Sequence, residues 1–327
     1  MNVSRLLDLP RLQDDLSLLE HELGRAVSAE DAFLTQVARH LVDAGGKRLR
    51  PALALASASV GRAPEGPAST EVLLGGVAVE LVHVGSLCHD DVIDEAVTRR
   101  GVETVNARWG NLVAILAGDF LLARASEIAA GLGTEVAGLL AATIARLCQG
   151  QTVEIQAVFD VDRSESSYLS AISGKTASLM AAACRIGGLT AGHGRDELEA
   201  LTAFGTAFGM AFQICDDVLD LVGTDESLGK PAGLDLTAGV YTLPVIRALA
   251  DPDSGPELRP ILGCPLAPPE RDKARQIVRS SPGVAAAVET ARTYADQAVE
   301  ATRPFGDGVG TALGRLGHHL IDSLPLG

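Results

Sequence analysis

Aromatic residues are scarce, 3% of 327 positions, with one tryptophan and three tyrosines. A cavity walled with ring faces against a bare cation is therefore excluded on composition. Basic residues are outnumbered too, 27 Lys and Arg against 42 Asp and Glu, for a net charge of −15. That balance argues against a nucleic-acid partner, and any phosphate-rich ligand would need a local basic patch or a metal. Cysteines are few and odd in number (Cys88, Cys148, Cys184, Cys215, Cys264), with no Cys-x-x-Cys spacing. They read as buried thiols of a reducing, cytoplasmic compartment, with neither a disulfide framework nor a zinc site. Proline is missing between Pro67 and Pro231, although the chain holds 15. Sustained apolar–polar alternation is missing as well, which excludes an extensive sheet. The first nineteen residues lack a signal-peptide core. The apolar stretch Leu179–Ala191 is broken by Arg185 and flanked by Lys175, so no transmembrane segment is expected there.

What is present is a doubled motif. Leu81-Val-His-Val-Gly-Ser-Leu-Cys-His-Asp-Asp-Val-Ile-Asp94 is echoed by Phe208-Gly-Met-Ala-Phe-Gln-Ile-Cys-Asp-Asp-Val-Leu-Asp220. Each is an apolar helical stretch ending in Asp-Asp-x-x-Asp, and residues four apart on a helix share a face. Asp90 thus aligns with Asp94, and Asp216 with Asp220. One such motif reads as a solvated acidic turn. Two, if they faced each other, would repel unless cations filled the space between them, and hard oxygen ligands suit Mg²⁺. A Mg²⁺ cluster with open positions is a receptor for a diphosphate.

Apolar residues recur at three- and four-residue spacing across the proline-free stretch, as in Leu112, Ile115, Leu116, Asp119, Phe120 and Ala123. Helix starts are expected at Ser28, Ser69-Thr70 and Thr134, with loops at Gly61–Ala68, Gly223–Gly239, Asp251–Pro256 and Gly263–Pro269. No linker divides the chain. The expected architecture is all-α, one helical bundle over residues 1–327 around a deep central cavity.

Other stretches carry phosphate chemistry. Gly45-Gly-Lys-Arg-Leu-Arg-Pro51 ends one helix on glycines and places three cations near the start of the next, where free N–H groups also attract anions. The bland alternative is a basic surface loop. His83 lies two helical turns before Asp90, about 10 Å along the same face. Ser173-Gly-Lys-Thr-Ala177 places Lys175 and Thr176 at an expected helix start. It lacks the first glycine and preceding strand of a nucleotide P-loop. Gly229-Lys-Pro-Ala-Gly-Leu-Asp235, carrying Lys230, reads as a loop able to close over a diphosphate. His318-His319, adjacent on a helix, diverge and read as surface or interface.

In this order, Gly-Gly-Lys-Arg-Leu-Arg-Pro, Asp-Asp-Val-Ile-Asp with Arg99-Arg100-Gly, Gly-Lys-Thr and Phe-Gln-Ile-Cys-Asp-Asp-Val-Leu-Asp resemble the trans-isoprenyl diphosphate synthases (polyprenyl synthetases). The resemblance implies an all-α isoprenoid-synthase fold, usually homodimeric, that condenses isopentenyl diphosphate with an allylic diphosphate. A catalytic subunit needing a second, different chain stays open. By the same resemblance, Lys47, Arg50, His83 and Arg100 would hold isopentenyl diphosphate. Arg99, Lys175, Thr176, Gln213 and Lys230 would hold the allylic diphosphate, and of these Arg99, Lys175, Gln213 and Lys230 would assist its ionisation. Asp90, Asp94, Asp216 and Asp220, with Asp217 assisting, would bind three Mg²⁺ ions. One departure is Gly239-Val-Tyr-Thr-Leu-Pro244, where Val240 stands at a position often held by lysine.

Product length is implied by the small Gly85 and Ser86 just before Asp90, where bulky aromatics make a floor in short-chain members. An open floor implies a product of about six to ten isoprene units, with Ile115, Leu116 and Phe120 deeper along the path. A farnesyl or geranylgeranyl synthase is the nearest alternative. A class I terpene cyclase would need neither the Gly45–Pro51 site nor a second intact Asp-Asp-x-x-Asp, and a non-catalytic regulatory subunit would need neither acidic motif.

Overall fold

Helix is the state of nearly every segment in the computed structural model, which describes Leu7, Leu9 and residues 11–61, 66–228, 231–306 and 308–326. In chain order the first elements are α1 (Leu12–Ala26), α2 (Ala32–Asp43), α3 (Leu49–Ser59) and α4 (Thr70–Ile93). A two-stranded hairpin follows, β1 (Thr98–Arg99) and β2 (Val102–Glu103), then α5 (Val105–Trp109), α6 (Asn111–Leu132) and α7 (Thr134–Gln156). Next come α8 (Glu165–Ile172), a π turn (Ser173–Ala177), α9 (Ser178–Thr190) and α10 (Arg195–Val222). After a single turn, Asp225–Leu228, the chain forms α11 (Leu234–Ala238), α12 (Leu243–Ala250), the turn Gly255–Leu258, α13 (Pro268–Ser280), α14 (Gly283–Thr302) and α15 (Gly308–Asp322).

Caps explain the boundaries. Ser69 precedes α4 and its hydroxyl accepts from Val72 N–H at 3.3 Å, and α7 begins on Thr134, both as expected. The expected start at Ser28 is displaced: Asp31 caps α2, accepting from Leu34 N–H at 2.7 Å, because a carboxylate complements the helix N-terminus better than a hydroxyl. The expected loop Gly223–Gly239 is interrupted by a helical turn and by α11.

Two compact units emerge, each assembled from three stretches of chain. One comprises 1–144, 179–205 and 302–313; the other comprises 145–178, 206–301 and 314–327. Leu19, Leu23, Leu41, Leu53, Leu81 and Leu121 are fully buried in the first, Tyr168, Tyr241 and Phe208 in the second. Burying such side chains contributes about 1.5–3 kcal/mol each. α4 and α10 are long and apolar enough to cross a membrane, but 72% and 61% of their most apolar windows lie inside the fold. They are core helices, and their last turns carry the two acidic motifs.

Candidate active site

Both acidic motifs sit at helix C-termini, the end that repels negative charge. Asp90 lies in the last turn of α4 and Asp94 is its C-cap, with Asp94 N–H bonded to the Asp90 carbonyl at 2.8 Å. Asp90 is half-buried and Asp94 exposed. Like charges one turn apart destabilise a helix by about 0.2–0.5 kcal/mol, so the local structure favours a bound cation. Among the described residues no three His, Cys, Asp or Glu side chains converge into a metal cage. An aligned carboxylate pair nonetheless fits Mg²⁺, which keeps waters and is held by one or two carboxylates together with substrate phosphates.

The middle aspartate of each motif turns inward. Asp91 is fully buried and accepts from Arg99 Nε at 2.5 Å; burial raises its carboxyl above the usual range even so. Arg99 is delivered by the β1–β2 hairpin, whose two-residue turn, Arg100-Gly101, has φ of +53° and +79°. Positive φ at both positions is the signature of a type I′ turn. Sequence patterning did not reveal this hairpin, since two-residue strands carry no periodicity.

Arg100 extends from that turn to the Leu41 carbonyl at 3.2 Å and to the Gly45 carbonyl. A Cβ on Gly46 would lie 2.9 Å from Arg100 Cζ, so only glycine lets the guanidinium pass. The hairpin and the Gly45–Pro51 loop are thereby joined. Of the loop's three cations, Arg48 is buried, with φ of +44°, bonded to the Val42 carbonyl at 2.9 Å and paired with Glu20 and, at 2.8 Å, with buried Glu80. Lys47 is exposed. Arg50 has a buried Nε with no partner, and burial pushes its pKa down to about 10. His83 is held well below 6.5, first by burial and then by the charges of Arg50, Arg100, Arg99 and Arg48. The result is a nest of guanidinium groups around a neutral imidazole, with Glu80 as the buried counter-charge.

Gly85 lies against α6: a Cβ there would stand 3.1 Å from the Gly118 carbonyl and 3.3 Å from Leu122 Cγ. Its smallness sets the approach of α4 to α6. Ser86 donates to the His83 carbonyl at 2.8 Å. Leu112, Ile115 and Leu116 on α6 are exposed, 73%, 43% and 55%.

The second unit gathers the other predicted residues. Lys175 and Thr176 do not open a helix; they lie in the π turn joining α8 to α9, an irregularity often found at functional sites. The turn packs on α7 through glycines: a Cβ on Gly150 would fall 2.4 Å from Lys175 N, and one on Gly174 would fall 2.7 Å from the Arg146 carbonyl. Lys175 Nζ donates to Glu154 at 2.5 Å. Thr176 Oγ1 donates to Gln213 Oε1 at 2.6 Å, and Gln213 Nε2 donates to Asp217 Oδ1 at 2.8 Å. Asp217 also accepts from Tyr168 at 2.5 Å. Burial raises its pKa to about 7 against the pull of those two bonds. Asp216 is exposed; Asp220 is buried, accepting from Asp235 N–H at 3.4 Å. Lys230 lies outside the described residues. Beside Val240, the Tyr241 carbonyl accepts from buried Arg163 at 3.0 Å.

These motifs and this helical order match known proteins. A profile of the Polyprenyl synthetase family matches residues 31–280. The chain belongs to that family. It is 41% identical over 285 residues to the nonaprenyl diphosphate synthase of Mycobacterium tuberculosis, covering 86% of this chain and 82% of that one. It is 46% identical over 241 residues to heptaprenyl diphosphate synthase component 2 of Geobacillus stearothermophilus, 73% and 74% of the two chains. A polyprenyl synthase from Caulobacter crescentus, crystallised with calcium and isoprenyl diphosphate, matches with a TM-score of 0.90 at 32% identity over 98% of each chain. The protein is a prenyltransferase of the all-α prenyl diphosphate synthase type.

In this synthase, sequence reasoning missed Glu80, Asp91, Glu154, Arg163 and Tyr168. Asp91, Glu154 and Tyr168 bond to the predicted Arg99, Lys175 and Asp217, whereas Glu80 pairs with Arg48 and Arg163 stands behind Tyr168. Tyr168 had a usable signal: in a chain with three tyrosines, one in an apolar helical stretch needs a partner for its hydroxyl. Asp91 and Asp217 had another, since adjacent helical residues point about 100° apart and cannot share one face.

Proposed function

We propose that the synthase condenses isopentenyl diphosphate with an allylic diphosphate such as farnesyl or geranylgeranyl diphosphate, giving an all-trans product of about six to ten isoprene units. The observation that carries this reading is the cationic nest of Arg50, Arg100, Arg99 and Arg48 around neutral His83, beside an acidic helix end. An anion site next to a cation site is what a diphosphate bound with metal demands.

Asp90, Asp94, Asp216 and Asp220 would hold Mg²⁺, three ions by family resemblance, with Asp217 as support. Bound Mg²⁺ would neutralise charge on the departing diphosphate. Lys47, Arg50, Arg100 and His83 would bind isopentenyl diphosphate, His83 as a neutral donor. Arg99, fixed by Asp91, and Lys175, fixed by Glu154, would steady the allylic diphosphate, together with Thr176, Gln213 and Lys230. The allylic C–O bond breaks with its electron pair leaving on diphosphate. The isopentenyl double bond attacks the cation, and the released diphosphate takes the proton lost. No side-chain nucleophile is needed.

The names of the heptaprenyl and nonaprenyl relatives support the length range, as does the small Ser86, while Gly85 is taken up in packing against α6. The exposed apolar face of α6, Leu112, Ile115 and Leu116, supports assembly as a homodimer. A relative named as a component supports a heteromeric partner as the second reading. Five free thiols support a cytoplasmic location, and the absence of a linker in the sequence supports one domain over 1–327. The test is incubation of purified protein with Mg²⁺, isopentenyl diphosphate and farnesyl diphosphate, with products sized by mass spectrometry and mass in solution by light scattering. A long linear prenyl diphosphate is expected. A product stopping at geranylgeranyl length refutes the chain-length reading, and no product from any allylic primer refutes homomeric catalysis.

A further inference from the structure

We propose that Tyr168 is a positioning residue for the allylic diphosphate, acting through Asp217 to fix which end of the Gln213 amide meets the substrate. The inference deepens the proposed function and rests on it. Tyr168 is 1% exposed, and its hydroxyl donates to one oxygen of Asp217 at 2.5 Å. The other oxygen of Asp217 accepts from Gln213 Nε2 at 2.8 Å. With one Asp217 oxygen taken by the Tyr168 hydroxyl, the other is left to accept from Gln213, which turns its NH₂ towards Asp217 and its carbonyl towards Thr176, whose hydroxyl donates at 2.6 Å. The amide is held at both ends, and its Nε2 carries a second N–H. A phosphate oxygen needs a donor; a flipped amide would offer it a carbonyl.

The lock is itself held from behind. Arg163 is buried, its guanidinium carbon 5.6 Å from the centre of the Tyr168 ring. Its NH1 donates to the Tyr241 carbonyl at 3.0 Å. Arg163 therefore ties the ring of Tyr168 to the Gly239–Pro244 segment. Tyr168 comes from α8, Thr176 from the π turn and both Gln213 and Asp217 from α10. Three segments thus converge on one amide, a level of support a single substrate donor needs to be pre-oriented.

The test is Tyr168→Phe, which removes one oxygen and keeps the ring. Steady-state kinetics with Mg²⁺, isopentenyl diphosphate and farnesyl diphosphate should show KM for the allylic substrate raised roughly tenfold, the effect of losing one charge-assisted hydrogen bond. KM for isopentenyl diphosphate should stay at the wild-type value. Calorimetry with unreactive farnesyl thiodiphosphate and Mg²⁺ should show the same tenfold weakening without turnover. Tyr168→Phe/Gln213→Ala should be no worse than Gln213→Ala alone. Wild-type allylic KM in Tyr168→Phe, or a further tenfold loss in the double variant, overturns the proposal while leaving the synthase activity standing. Loss of the cooperative melting transition, or equal damage to both KM values and kcat, makes Tyr168 merely structural and also overturns it. A wild-type protein that neither binds the thiodiphosphate nor turns over would instead refute the underlying reading, and the proposal with it.

Discussion

Asp91→Asn and Asp94→Asn, three residues apart in one motif, should move stability in opposite directions. Asparagine keeps the shape of the side chain and deletes its charge. Asp94 is exposed at the C-cap of α4, one turn from Asp90. Removing its charge relieves like-charge repulsion of about 0.2–0.5 kcal/mol and an unfavourable helix-end interaction of about 0.3–1 kcal/mol. Asp91 is fully buried and bonded to Arg99 at 2.5 Å. Breaking a buried pair costs about 3–5 kcal/mol; the Arg99 side chain is 28% exposed and reaches water, which brings the loss to about 1–3 kcal/mol, the range for hydrogen bonds to charged groups. At roughly 2–4 °C per kcal/mol for a chain of this order of size, Asp94→Asn should raise the melting midpoint by about 1–6 °C in metal-free buffer. Asp91→Asn should lower it by about 2–12 °C. Turnover should fall in both, and the midpoint gained on adding Mg²⁺ with diphosphate should shrink most in Asp94→Asn. Differential scanning fluorimetry with and without Mg²⁺ decides the matter. If metal-free Asp94→Asn is destabilised as much as Asp91→Asn, the assignment of an outward and an inward aspartate is wrong.

His83 is held below its ordinary 6.5 in the folded chain. Below pH 6.5 the unfolded chain therefore binds a proton that the folded one refuses, and stability falls as pH drops through that window; His83→Asn should flatten the loss in urea titrations between pH 7 and 5. Ser86→Phe should shorten the product distribution in mass spectra, and an unchanged distribution removes Ser86 from the chain-length argument. Chelation by EDTA should abolish turnover, with recovery on adding Mg²⁺ and not on adding K⁺.

The helical fold was legible because proline punctuation and capping act locally: Ser69 and Thr134 start their helices where the sequence places them. Ser28 lost to Asp31, three residues later, because two capping candidates compete and the sequence alone does not rank their surroundings. Four-residue spacing marked Asp94 and Asp216 as outward, but it paired Asp216 with Asp220, which the fold buries. The inward Asp91 and Asp217 were not legible, since their partners, Arg99 and Tyr168, lie 8 and 49 residues away in sequence. Likewise Arg48 and Arg50 look equivalent in Gly-Gly-Lys-Arg-Leu-Arg; only the fold bonds one to Glu20 and Glu80 and leaves the other's Nε without a partner. The π turn had no signal at all, because it arises from the close approach of Gly150 and Gly174 on separate helices.

That turn acts as a phase shift. Tyr168 and Thr176 are eight residues apart, and in an unbroken α-helix they would point about 80° apart. One extra residue in the winding makes them behave as if seven apart, about 20° from alignment, which is why both reach α10 at Asp217 and Gln213. The register between them is therefore counted in residues and not in chemistry. Rewinding Ser173–Ala177 as regular α-helix at unchanged length would rotate Thr176 by about 100° relative to Tyr168 and dismantle the array without changing a single group that takes part in it.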